Sequence, residues 1–222
     1  MTTRLWLSRT EPAARSATAW AEAGFDPVVA PLITIEPVKA SAEVPEQASF
    51  IFTSAHGVRN CPVPGGTRRV YAVGPATAKA AREAGFVNVV KGGGDWKSLI
   101  EVIEINVEPF IHFCGSTLQG AMVEALLAKG AQAERRVVYR NIGVSDWPLD
   151  PSSVEAVALY SPLAARTLLG LPHRDLSHLS AFCLSEAVAR PFLAVPDRGL
   201  NLRIAAEPTE SALIACSETP DV

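Results

Sequence analysis

The stretch LWLSRTEPAARSATAWAEAGFDPVVAPLITIEP, Leu5 to Pro37, opens on a short apolar run and turns polar at Ser8. It continues as an Ala-rich segment of helical period that closes on Gly24 before β-branched residues resume. The same pattern returns over IHFCGSTLQGAMVEALLAKGAQAERRVVYRNIG, Ile111 to Gly143, with Leu7 and Phe113 in equivalent places. Three further pairs stand in register: FIFTSAHGVR (Phe50 to Arg59) with VALYSPLAARTLL (Val157 to Leu169), VYAVGPATAKAAREAGF (Val70 to Phe86) with AFCLSEAVARPFLAV (Ala181 to Val195), and GGDWKSLI (Gly93 to Ile100) with AEPTESALI (Ala206 to Ile214). Recurrence of all these pieces in one order implies a duplicated α/β unit and two similar domains.

Within each copy, apolar runs alternate with helical segments. Strands are expected near Leu5 to Leu7, Val28 to Ile35, Phe50 to Phe52, Val70 to Val73, Val87 to Val90, Phe110 to Phe113, Val137 to Ile142, Val157 to Tyr160, Ala181 to Leu184 and Leu202 to Ala205. Helix starts are expected at Thr10, Gly74 with Pro75, Asp95, Ser116, Ser161 with Pro162, Ser185 with Glu186, and Thr209, and left-handed helix ends at Gly24, Gly85 and Gly130. This βαβα order predicts an α/β fold in which each domain is a mostly parallel sheet flanked by helices on both faces. Two long extended stretches, PLITIEPVKA (Pro31 to Ala40) and RRVVYRNIGVSDW (Arg135 to Trp147), interrupt the alternation where the copies join. If they pair with each other, the chain crosses between domains twice and one domain is discontinuous.

The 222 residues are 48% hydrophobic, enough for a substantial core, and a net charge of −3 without long single-sign runs gives no footprint for nucleic acid or an anionic membrane. The apolar run near the N-terminus is too short for a signal-peptide core and no later run is long enough to span a bilayer, so the expected location is the cytoplasm. Cys61, Cys114, Cys183 and Cys216 lie far apart, with no spacing that holds zinc. They are expected to be reduced, with Cys114 the one candidate nucleophile. His112 beside it has two readings, a half-buried strand histidine or a ligand.

In a parallel sheet all carboxyl ends open on one edge, where the next helices begin and ligands bind. Ser8, Arg9, Thr53, Ser54, Gly74, Thr77, Gly115, Ser116, Ser161, Ser185 and Thr209 fall at those edges. Free backbone N–H groups and helix dipoles there favour carboxylates by about 0.3–1 kcal/mol each, so many weak sites suit a ligand with many carboxylates. Each of these residues is equally an ordinary helix cap. No G-x-S-x-G elbow surrounds the serines, GGGDW (Gly92 to Trp96) lacks the Lys-Ser/Thr of a P-loop, and no dinucleotide fingerprint follows a strand. A reaction without cofactor is the better expectation among enzymes. Tyr139, ending RRVVY, reads either as packing or as a phenol that donates to a leaving oxygen.

The ordered series SRTEP, GFDPVVAPLITIEP, FTSAHGVR, YAVGPATAKAAREAGF, GSTLQGAMVEALLAKG, VVY and AEPTESALI resembles the uroporphyrinogen-III synthase family over nearly the whole chain. The resemblance implies two α/β domains joined by a two-stranded ladder, residues 1–35 with 145–222 forming one and residues 36–144 the other. It implies cofactor-free closure of hydroxymethylbilane, a linear tetrapyrrole with eight carboxylates, to uroporphyrinogen III with inversion of ring D in the cleft between domains. By motif, Tyr139 would assist departure of the ring A hydroxyl, and Ser54 and Thr77 would contact substrate carboxylates. Arg9, Ser116, Ser161, Ser185 and Thr209 are added as binding candidates. The chain departs from the family at His56, where Asn or Arg is usual, and at Ala187 and Val188, where some members carry threonine. A monomer is expected, with at most passing contact with the enzyme that supplies the bilane. Two other readings stay open: a non-catalytic cytoplasmic binder of a small polycarboxylate, and a duplicated α/β enzyme of another class.

Overall fold

The runs Arg4–Leu7 (β1), Ala156–Leu159 (β9) and Ser180–Cys183 (β10) are buried almost throughout, as strands covered on both faces require. They form the middle of a five-stranded sheet that Asp26–Val29 (β2) and Asn201–Ile204 (β11) complete, in the order β11-β10-β9-β1-β2 with all neighbours parallel. The structure is a computed structural model and describes residues 2–105, 108–117, 120–195 and 199–217. It divides into two compact units, Met1–Thr34 with Ile142–Val222, and Ile35–Asn141.

In the first unit, alternate residues of each strand feed two apolar layers. Trp6, Val157, Leu159, Ala181 and Cys183 pack with Leu168, Val188 and Phe192 from helices Pro162–Gly170 (α6) and Glu186–Leu193 (α7). Leu5, Leu7, Ala156, Ala158 and Phe182 pack with Trp20 of Ala13–Glu22 (α1) and Leu213 of Glu210–Ala215 (α8). Each fully buried large side chain contributes about 1.5–3 kcal/mol of transfer free energy.

The second unit repeats the scheme. Its sheet runs β6-β5-β4-β7-β8-β3, with β4 (Ser49–Phe52), β5 (Arg69–Ala72), β6 (Asn88–Lys91), β7 (Phe110–Gly115) and β8 (Ala133–Gly143) parallel to one another. Phe50, Phe52, Ile111 and Phe113 pack with Val58 of Ala55–Arg59 (α2) and with Ala80 and Ala81 of Pro75–Glu83 (α3). Ile51, Tyr71 and Phe110 pack with Leu99 and Ile100 of Trp96–Glu101 (α4) and with Met122 and Leu126 of Met122–Ala128 (α5). Strands β11, β10, β9, β1 and β2 thus have β6, β5, β4, β7 and β8 as counterparts in the same spatial order. That is the duplication legible in the sequence.

The edge strand β3 (Ile33–Pro37) runs opposite in sense to β8. The N–H of Val144 donates to Leu32 O at 3.1 Å and that of Val38 to Val138 O at 2.9 Å. This two-stranded ladder carries the chain from the first unit to the second and back.

Several expected element bounds shift. The single strand expected from Val28 to Ile35 is two, β2 and β3, separated at Pro31, which has no N–H to extend the ladder. Helix α1 starts after Pro12 rather than Thr10, proline being favoured at helix starts where an N–H would go unpaired. Ser116 caps nothing: α5 starts after Ala121, and Ser116 stays exposed on the loop that precedes it. Gly24, Gly85 and Gly130 do take positive φ at the helix ends.

Candidate active site

Read in chain order, the five parallel strands of the second unit lie 3-2-1-4-5, so the connections leaving β4 and β7 go to opposite faces of the sheet. A crevice outside the carboxyl ends of the two strands is the expected consequence of such a switch point. Thr53 and Ser54 follow β4 there, and β7 ends at Gly115.

Tyr139 of β8 is brought to the same place. An irregularity in the β7–β8 register sets Gly115 opposite Tyr139, and Ser116 N–H donates to Tyr139 O at 2.9 Å. The phenol ring lies against the glycine: a Cβ on Gly115 would sit 2.8 Å from ring carbons Cε2 and Cζ. Only a residue without a side chain leaves the ring this position. Burial pushes the Tyr139 phenol pKa above its ordinary value, outweighing the opposing influence of the nearby Ser54 side chain. Tyr139 is 9% exposed and its ring centroid is 5.6 Å from that of His56. A neutral, closely packed phenol is the result, suited to donating a hydrogen bond to an oxygen that gains charge.

The Ser54 oxygen caps α2, accepting from His56 N–H at 3.1 Å. Thr77 occupies the third position of α3 and is 5% exposed. Its hydroxyl has no hydrogen-bond partner among the described residues. On the other face of the same edge, His112 Nε2 lies 2.9 Å from Thr53 Oγ1 while buried Nδ1 has no partner. Burial, then the nearby Arg135 charge, push the imidazole pKa down to about 4. The ring is neutral at pH 7 and shares a single hydrogen bond with Thr53. Cys114 is buried and its thiol is pushed up by that burial, the opposite of what a nucleophile needs.

The first unit has its own switch point, between β9 and β1. Ser8 is committed to the sheet, donating to Ala158 O at 2.6 Å. Arg9 lies with its guanidinium carbon 4.3 Å from the Tyr160 ring centroid, donates from Nη1 to Ser16 Oγ at 3.0 Å, and stands 3.6 Å from Glu210 Oε1. Tyr160 accepts from Trp20 Nε1 at 2.9 Å and donates to Glu210 Oε1 at 3.0 Å. Burial pushes its phenol up to about 12. Ser161 caps α6 through Ala164 N–H at 3.2 Å, and Thr209 caps α8 through Ala212 N–H at 3.2 Å. Ser185 precedes α7 but its side chain makes no cap bond.

The structure therefore gathers Ser54 and Tyr139 into one constellation, with Thr77 farther along the same edge, and sets Arg9, Ser161, Ser185 and Thr209 along the corresponding edge of the first unit. Sequence reasoning missed Tyr160, Glu210, Trp20 and Ser16 around Arg9. The adjacency of Tyr160 to Ser161 and of Glu210 to Thr209 was the available signal. Among the described residues no group of three or more His, Cys, Asp or Glu is placed to hold a metal ion, and no helix is long and apolar enough to cross a membrane. An open groove of about 770 Å³ runs between α6 and α7, lined by Pro162, Leu169, Pro191 and Val195 with Arg166 and Arg190. Its apolar lining has none of the hydroxyl and phenol donors found at the strand ends.

Two copies of one parallel-sheet unit, each offering hydroxyl, amide and phenol donors at its switch point, define a duplicated α/β protein suited to an anionic ligand. Residues 14–215 match the family model described as uroporphyrinogen-III synthase HemD, and the chain belongs to the uroporphyrinogen-III synthase family. A solved uroporphyrinogen-III synthetase from Helicobacter pylori shares the fold at TM-score 0.60 and 17% identity, over 98% of both chains. A mutant uroporphyrinogen III synthase from the extremely thermophilic bacterium Thermus thermophilus does so at TM-score 0.50 and 16% identity, over 98% of this chain and 96% of that one. No curated protein sequence matches the chain.

Proposed function

We propose that this chain closes hydroxymethylbilane to uroporphyrinogen III, with Tyr139 as the group that assists departure of the ring A hydroxyl. The observation that carries the reading is the neutral buried phenol of Tyr139, seated against Gly115 at the switch point with Ser54 nearby. In the proposed sequence, the phenol donates to the hydroxyl as its C–O bond breaks and water leaves, giving an electrophilic azafulvene. The substituted carbon of ring D attacks it to form a spiro intermediate. That ring is then released and rejoined through its unsubstituted carbon, and the proton lost there balances the one given to the departing water. Left alone the bilane closes without inversion, so the protein acts mainly by orientation and by placing donors where charge develops. Ser54, Thr77 and Ser116 in one unit, and Arg9, Ser161, Ser185 and Thr209 in the other, are the proposed contacts for the eight carboxylates. The chain is proposed to work as a cytoplasmic monomer, with only passing contact with the enzyme that makes the bilane.

The test is incubation with freshly generated hydroxymethylbilane, followed by oxidation and separation of the porphyrin isomers. The type III isomer is expected in excess over the spontaneous background. Type I alone would overturn the reading.

A further inference from the structure

Arg9 sits where β1 and β9 part, and three contacts that involve no carboxylate hold its guanidinium. Nε donates to Glu11 O at 3.2 Å, Nη1 donates to Ser16 Oγ at 3.0 Å, and the Tyr160 ring lies beneath the group. Such a cation is already oriented before any anion arrives. Its acidic neighbour is placed differently. Glu210 Oε1 is 3.6 Å from Nη1, outside ordinary N–H···O hydrogen-bond range, and is taken instead by the Tyr160 hydroxyl at 3.0 Å. Tyr160 in turn is fixed by Trp20 Nε1, and Glu210 occupies the first position of α8, where a helix start favours negative charge. Glu210 is therefore anchored by Tyr160 and the helix, and balances Arg9 without closing on it. The two side chains keep 21% and 22% of their surface exposed, and Nη2 of Arg9 has no hydrogen-bond partner among the described residues.

We propose that Glu210 is a built-in competitor for Arg9: held back by Tyr160, it balances the guanidinium charge and yields the open donor edge to a substrate carboxylate, setting both affinity and release. On the reading that the chain takes the octacarboxylate bilane, one substrate carboxylate pairs with Arg9 through its outward N–H groups, the geometry in which arginine binds carboxylates most strongly. The fixed negative charge beside it opposes that binding, more strongly in this partly buried setting than it would in bulk water. Glu210 is a positioning residue, acting on the ligand through Arg9.

Two substitutions then move binding in opposite directions. Glu210→Gln keeps an acceptor for the Tyr160 hydroxyl but removes the competing charge, and binding should tighten by about three- to tenfold. Tyr160→Phe keeps a ring beneath the guanidinium but releases Glu210 to close on Arg9, and binding should weaken by a similar factor. In an Arg9→Ala background the gain from Glu210→Gln should vanish. The readouts are KM for hydroxymethylbilane against kcat, and fluorescence titration with uroporphyrin, a stable octacarboxylate macrocycle, on the full chain. Shifts of the same sign in both variants, no tightening in Glu210→Gln, or a gain that survives without Arg9 would each overturn the inference. Because the titration needs no turnover, it decides on Glu210 even if the wild-type chain yields only the type I isomer, which would count against the synthase reading alone.

Discussion

At the scale of single residues, the proposed chemistry turns on how a phenol is kept neutral. Burial raises the Tyr139 pKa, so at neutral pH the proton stays on oxygen and is available for donation. The close approach to Gly115 limits where the ring can lie. Tyr139→Phe keeps the ring packed and removes only the donor. Turnover of hydroxymethylbilane is expected to fall by about 10²- to 10⁴-fold, with stability changed by no more than about 1 kcal/mol. Isomer-resolved kinetics and urea unfolding check this together; a large stability loss at unchanged rate would make the tyrosine a packing residue instead. From the letters alone Tyr139 could be read either way, and motif resemblance singled it out. Arg9's neighbours were harder to see. Glu210 and Tyr160 come from segments far along the chain, and only closure of the sheet joins β1 to β9 and brings α8 to the same edge.

At the scale of elements, the central strands were legible because they are runs of buried apolar residues followed by a small or hydroxylated one. Less legible were pieces whose length hides any period. Helix α2 has five residues and was not anticipated, and the loop after β7 was read as a helix start because Ser116 has the residue type of a cap without its geometry. The sequence also left open what His112 does on β7. The structure makes it a tie between β7 and the end of β4, through Thr53. That tie carries a pH dependence with a definite sign. With a folded pKa of about 4 against the ordinary value of 6.5, the unfolded chain binds the proton more readily between those limits. Stability is thus fully present above pH 6.5 and declines as the pH falls toward 4, by about 3 kcal/mol from this group. Urea unfolding at pH 7, 5.5 and 4.5 is expected to show a steeper loss in the wild type than in His112→Asn, which keeps a polar partner for Thr53 but does not titrate. Parallel losses in the two proteins would remove the histidine from the acid response.

At the scale of the whole molecule, duplication was the most legible feature, since equivalent strands recur in the same order along the chain and in the same order across each sheet. The two units also carry separate apolar cores: Trp6, Leu168 and Phe192 belong to the first, and Phe50, Phe52 and Phe113 to the second. Cores without shared members predict separable unfolding, because each unit keeps its own packed apolar cluster. Leu168→Ala empties a fully buried position under α6, which costs about 2–5 kcal/mol. Gly57→Ala drives a Cβ to within 2.6 Å of the Phe113 carbonyl oxygen, where α2 rests on β7, and the displacement costs about 1–3 kcal/mol. Calorimetry is expected to resolve two transitions in the wild type. Leu168→Ala should lower one and Gly57→Ala the other, and the double variant should lower each by the amount seen singly. If one transition moves with both substitutions, the ladder of β3 and β8 binds the two cores into a single cooperative unit, and the independence inferred from their packing is wrong.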